Sequence, residues 1–195
     1  MGKLQVPEYV KEIRKNIRND SYIPEAVKII LAQNGIDKYP INVFDIAKKL
    51  SFAIKYASFQ DDAISGILWD GIEPISVEGE QYQRVIFVKK DEIPQRQMFT
   101  VAHEIGHFML HCNDESNFYE RYMTKNSNVS KEQKEMEDKA DFFAANLILP
   151  EDILHRYILV NKLENIDEIV NKVSSDFFVE KETIERRLEE IGYAQ

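Results

Sequence analysis

The sequence predicts an α+β fold, and three observations carry that prediction. Apolar residues recur at helical spacing near the start of the chain. A central stretch, from about residue 52 to 90, turns β-branched and aromatic. Helical patterning then returns at Pro94 and continues to the end. The chain has 195 residues, 44% of them apolar, which suffices for the core of one ordinary domain. Charged residues make up 30%, as on a soluble surface. No internal repeat, low-complexity tract or linker interrupts it.

Each element has its own signal. Val10, Ile13 and Ile17 share one helix face, and Pro24 opens a second helical segment, EAVKIILAQ, that Gly35 closes. A third helix is expected over Val43 to Leu50. FAIKYA (52–57), AISGILW (63–69) and RVIFVKK (84–90) read as about three strands of a small mixed sheet. Pro94 suits the first turn of the next helix. Residues 112–129 are polar, rich in Asn and Ser, and read as a loop. Ser130 and Gln133 form a capping box for a helix that runs to Pro150, and another begins near Glu151. Ile166 to Gly192 reads as two short helices around VSSDFFVEKE. The organisation expected is N-terminal helices over 1–40, a core over 41–160 and a helical C-terminal piece over 161–195.

Composition excludes some functions. The formal net charge of -9 disfavours unaided binding to phosphate backbones, so no direct nucleic-acid contact is expected. No stretch of about 18 apolar residues suggests a membrane span. The first twenty residues lack the apolar region of a secretory signal, and Val6 stands where a myristoylation motif has Ser or Thr. The single Cys112 excludes an intramolecular disulfide and suits a reducing cytoplasm.

The chemistry is concentrated in MFTVAHEIGHFMLH, residues 98–111, which holds three of the four histidines in a largely apolar run. HEIGH matches H-E-x-x-H. His103 and His107 lie one helical turn apart and can bind one Zn²⁺ through neutral imidazoles. Glu104 is turned about 100° away, placed to take a proton from a water beside the metal. A structural pair of core histidines is the bland alternative. The helix around them is apolar almost all round, where unpaired imidazoles cost free energy.

A catalytic zinc takes three protein ligands. His111 continues the series, but it lies about 12 Å along the axis from His103 and is better read as a helix-end residue near the negative dipole. A more distant third histidine would stand at Asn113. Cys112 reads as a small, semi-buried thiol. Glu137 is the better third ligand. It falls about 100° from Met136 on its helix, inside the arc of Ala140, Phe143, Ala144, Leu147 and Ile148. Asp141, at about 140°, sits on the edge of that arc, placed to receive the second N–H of a ligand imidazole. The alternative is a solvated pair balanced by Lys134 or Lys139.

These residues resemble the ImmA/IrrE family of zinc metallopeptidases. The resemblance rests on F-T-x-A-H-E-x-G-H-x-x-L-H at Phe99–His111, on E-x-x-A-x-x-F-A-A-x-L-x-x-P from Glu137 to Pro150, and on a weaker C-terminal pattern from Phe177 to Gly192. Together they cover roughly residues 40–192. The resemblance implies a zincin-like metallopeptidase domain with an HExxH helix. It implies one Zn²⁺ per chain on His103, His107 and Glu137, with Glu104 as general base. Asp141 departs from the Asn common in the family and is similar to the Asp that backs a ligand histidine in gluzincins. Leu149 replaces a common Met. The resemblance also implies a cytoplasmic endopeptidase of a mobile element or stress locus, whose protein substrate is a helix-turn-helix transcriptional repressor.

A rival reading is a metal-containing module that sequesters a repressor or toxin without cleaving it. The tail has a helix-turn-helix cadence with Val179–Glu182 as its turn. Residues 180–190 nevertheless hold five Glu against one Lys and two Arg, so a packing or substrate-docking role is preferred. AISGILW, interrupted by Gly66, is expected to be an edge strand that could pair with a substrate backbone. Tyr119, Arg121, Tyr122, His155 and Tyr157 are candidate oxyanion donors.

Overall fold

The computed structural model describes residues 4–17, 20–112 and 130–193, and the backbone of 118–123. Helices α1 (Glu8–Asn16), α2 (Ile23–Gln33) and α3 (Val43–Lys49) come first, with a 3₁₀ turn before α2. Strands β1 (Ala53–Ala57), β2 (Ile64–Val77) and β3 (Glu80–Lys89) follow, then α4 (Pro94–Leu110), β4 (Phe118–Met123) and α5 (Lys131–Ile148). Helices α6 (Glu151–Asn161), α7 (Ile166–Phe177) and α8 (Lys181–Glu190) complete the chain. The fold is α+β, with a small mixed sheet and a helical C-terminal piece. The capping box at Ser130 is formed: its hydroxyl accepts from the Gln133 N–H at 3.2 Å, and the Gln133 side chain accepts from the Ser130 N–H at 3.1 Å.

The sheet has four strands in the order β1-β3-β2-β4. β1 runs parallel to β3, while β2 is antiparallel to both β3 and β4. Leu68 sits opposite Ile86 on one side and Glu120 on the other. Two expectations are corrected here. Part of the stretch expected to be a loop, Phe118–Met123, is a strand. It pairs with Ile64–Asp70, so AISGILW is an interior strand and offers no free edge to a substrate. β2 and β3 also extend further than their apolar runs, meeting at a Glu78–Gly79 turn. A break in register between Asp70 and Ile75 accommodates Pro74, which has no N–H for the ladder.

One hydrophobic core joins residues from the first helices, the sheet side and the C-terminal helices, from Val6 to Leu188. At its centre lies α4, whose residues from Met98 to Met109 are all buried. It packs against α5, β2, β3, α3 and α1. Gly106 sets the closeness of the α4–α5 contact: a Cβ there would lie 3.1 Å from both the Ala140 carbonyl oxygen and Phe143 Cδ1. Phe143, Ala144 and Leu147 are fully buried, and each large side chain contributes about 1.5–3 kcal/mol. A buried ion pair, Arg84 Nε to Asp70 Oδ1 at 2.8 Å, anchors the chain start through donation from Arg84 to the carbonyl of Leu4 at 2.7 Å.

The two arginines of α8 differ in burial: Arg187 is enclosed, whereas Arg186 is exposed. Arg187 is buried and donates to the Leu149 carbonyl at 3.2 Å and to Asn146 Oδ1 at 2.8 Å, which ties α8 to α5. Arg186 pairs with Glu190 at 3.3 Å and lies 3.7 Å from Asp141. The exposed side of α8 presents Glu182, Glu185, Glu189 and Glu190 against Lys181 and Arg186, a net charge of -2. The turn between α7 and α8 is tighter than expected: Phe178 is left-handed (φ 60°) and α8 begins at Lys181. Among the described residues, no helix is long and apolar enough to cross a membrane.

Candidate metal centre

Two helices build the site. The spacing of His103 and His107 on α4 puts both imidazoles on one face, and the close contact at Gly106 brings in α5 one turn past Glu137. His103 Nε2 and His107 Nε2 are 2.9 Å apart. Glu137 Oε2 lies 3.2 Å from the first and Oε1 lies 3.4 Å from the second. One ligand atom from each of the three residues falls within 4.8 Å of the others. Both histidines are fully buried, and Glu137 keeps 22% of its side chain exposed, so one side of the cluster meets solvent.

The outer nitrogens are also engaged. His103 Nδ1 lies 2.9 Å from Asp141 Oδ1, and His107 Nδ1 lies 2.9 Å from His111 Nδ1. Burial disfavours charge on His103, yet hydrogen bonds to Asp141 and Glu137 and the nearby Glu104 charge outweigh it and raise its pKa to about 9. Burial, reinforced by charge on His103 and only partly offset by a hydrogen bond to Glu137, lowers His107 to about 4. Burial works to raise Glu137, but hydrogen bonds from both histidines hold it down at about 2. At neutral pH these directions set a protonated His103 against an ionised Glu137, with His107 neutral beside them.

The donor chemistry tests whether a metal fits there. An ionised carboxylate only accepts, so Asp141 keeps the proton of a neutral His103 on Nδ1 and turns its Nε2 lone pair inward. That lone pair and the Glu137 carboxylate converge on the point that His107 Nε2 also faces. Such a set is satisfied by a proton or by a cation. Two imidazole nitrogens and one carboxylate are a donor set suited to zinc with a position left open. The residues fit the ion.

Glu104 is buried beside the pair, under β2. A Cβ on Gly66 would come within 2.6 Å of Glu104 Oε1 and 2.5 Å of Thr100 Cγ2, so only glycine leaves room for this carboxylate. Gly66 therefore marks a close approach to Glu104, where the sequence had suggested a strand edge. His111 also differs from its expected role. It caps the last turn but folds its ring onto His107, and burial with the neighbouring His107 and Lys139 lowers its pKa to about 3. It is not a cation on the helix dipole. Cys112 is buried.

Of the candidate oxyanion donors, Tyr119, Arg121 and Tyr122 lie on β4, with side chains outside the described residues. Tyr157 instead donates to Asp176 at 2.6 Å and packs edge-on against Tyr39 and Phe177. His155 lies against Tyr193.

This fold, with a His/His/Glu group between two packed helices, defines a protein of the HExxH metal-site class. The chain belongs to the IrrE N-terminal-like domain family, peptidase family M78, whose sequence model matches residues 47–189. Among solved structures, a Mycobacterium tuberculosis transcriptional regulator superposes with a TM-score of 0.52 at 14% identity. The match covers 93% of this chain and 52% of that one, so this chain spans about half the regulator's length. At that identity the likeness is one of fold. No curated protein matches the sequence.

Proposed function

We propose that this protein is a zinc-dependent metallo-endopeptidase, with His103, His107 and Glu137 as ligands of one zinc and Glu104 as general base. The observation that carries the reading is the convergence of the three donor atoms within 4.8 Å, with Glu104 next to the first ligand in the chain. Zinc bound there supplies Lewis acidity, polarising a scissile carbonyl and acidifying water. Glu104 accepts the proton of the attacking water and hands it to the leaving amine. Asp141 orients His103 by accepting its Nδ1 proton. Gly66 leaves the space in which the Glu104 carboxylate is held.

The substrate in this reading is a cytoplasmic regulatory protein, a helix-turn-helix repressor, which follows from the family resemblance. The acidic outer face of α8 suits contact with a basic protein surface better than contact with DNA. Glu104→Gln tests the enzymatic half. The variant keeps zinc and partner binding and loses turnover by about 10²–10⁴-fold, the range of general-base catalysis. Wild type and variant that bind the partner equally well and both leave it uncut would favour a module that sequesters its partner.

A further inference from the structure

The last turn of α4 carries a third histidine. His111 is its C-cap, and its backbone N–H donates to the His107 carbonyl at 2.9 Å. The chain leaves the helix there with the His111 ring folded back, 5.1 Å from the His107 ring between centroids and tilted by 51°. The two Nδ1 atoms meet at 2.9 Å. This contact stands on the outer side of His107, opposite the nitrogen that faces His103 and Glu137.

Resting on the metal-site reading above, we infer that His111 is a positioning residue: it accepts the Nδ1 proton of His107 and so aims the His107 Nε2 lone pair at the metal position. A neutral imidazole carries one proton. If Nε2 gives its lone pair to a cation, the proton sits on Nδ1 and requires an acceptor. Asp141 is that acceptor for His103, and the His111 Nδ1 lone pair is placed to be the acceptor for His107. His111 then carries its own proton on Nε2. The two ligand histidines are thus supported unequally. An anion backs His103, which strengthens it as a donor, and a neutral ring backs His107. The H-E-x-x-H-x-x-x-H series is a ligand pair followed by its own support, one turn further on the same helix.

The test combines zinc affinity with direct observation of the tautomer. In zinc-loaded wild type, ¹⁵N–¹H correlation of the imidazoles is expected to show His107 protonated at Nδ1 and unprotonated at Nε2. His111→Phe keeps a ring but removes the acceptor, and weakens zinc binding by about 10–100-fold in competition with a chelator. His111→Gln, whose amide oxygen accepts, recovers most of that loss. Wild-type affinity in His111→Phe would overturn the inference. So would a His107 unprotonated at Nδ1 in the loaded wild type, a result that needs no variant to fold. Wild type that takes up no zinc would overturn the metal-site reading itself, a separate outcome.

Discussion

Adding one methyl group at Gly66 tests how Glu104, the proposed general base, is held. A Cβ at this position would sit 2.5 Å from Thr100 Cγ2 and 2.6 Å from Glu104 Oε1. Carbon atoms pack comfortably at about 3.5–4.0 Å, so roughly 1 Å of overlap has to be absorbed. Thr100 is β-branched, stiff and buried on α4, and β2 is held on both sides by β3 and β4. Glu104 is the group left to yield. Overpacking of this kind costs about 1–3 kcal/mol, which for a chain of this size lowers Tm by roughly 2–4 °C per kcal/mol. A catalytic group displaced by about 1 Å loses about 10²-fold in rate, or roughly 2.7 kcal/mol of barrier. The atoms nearest the new methyl belong to Thr100 and Glu104 and not to the three proposed ligands, so zinc content should stay at the wild-type level. The assay pairs thermal unfolding and zinc content with single-turnover cleavage of the partner. A Gly66→Ala protein with wild-type Tm and turnover would refute the reasoning.

Two further predictions concern stability. In metal-free protein the raised His103 pKa contributes stability that is full below about 6.5 and is lost as pH rises through about 9, whereas the lowered His107 pKa contributes stability that is full above about 6.5 and is lost as pH falls toward about 4. Tm measured with chelator present should therefore peak near pH 6.5, and a Tm still rising from pH 7 to 9 would contradict the linkage. Asp70→Ala leaves the Arg84 charge buried beside the Leu4 and Leu50 carbonyls, which should cost about 3–5 kcal/mol in urea unfolding. A loss under about 1 kcal/mol would mean that the pair contributes little.

Much of the site could be read from residue spacing. His103 and His107 share a helix face because their separation is one turn, and Glu137 stands out as a carboxylate inside an apolar arc. Both patterns are local, and the structure brings their side chains together. What the sequence hid was non-local. Phe118–Met123 lies in a polar stretch without a long apolar run, so its pairing with β2 left no period-2 signal strong enough to identify it. Without that partner, Gly66 looked like the mark of an edge, because a glycine pressed against a carboxylate 38 positions later has no signature in its own strand. The outer halves of β2 and β3, through Pro74 and Gln81, are half-buried or exposed and carry no apolar pattern. His111 was legible as a residue but not in its role, because helical spacing alone does not tell whether a cap ring turns outward or folds back onto its neighbour.

The proposed chemistry requires a metal held by His103, His107 and Glu137. The measurement that tests it most directly is metal content by elemental mass spectrometry, wild type beside Glu137→Ala, each after exposure to zinc and desalting. About one zinc per wild-type chain is expected, and its loss in the variant. Wild type without zinc, or a Glu137→Ala protein that keeps it in full, would contradict the account.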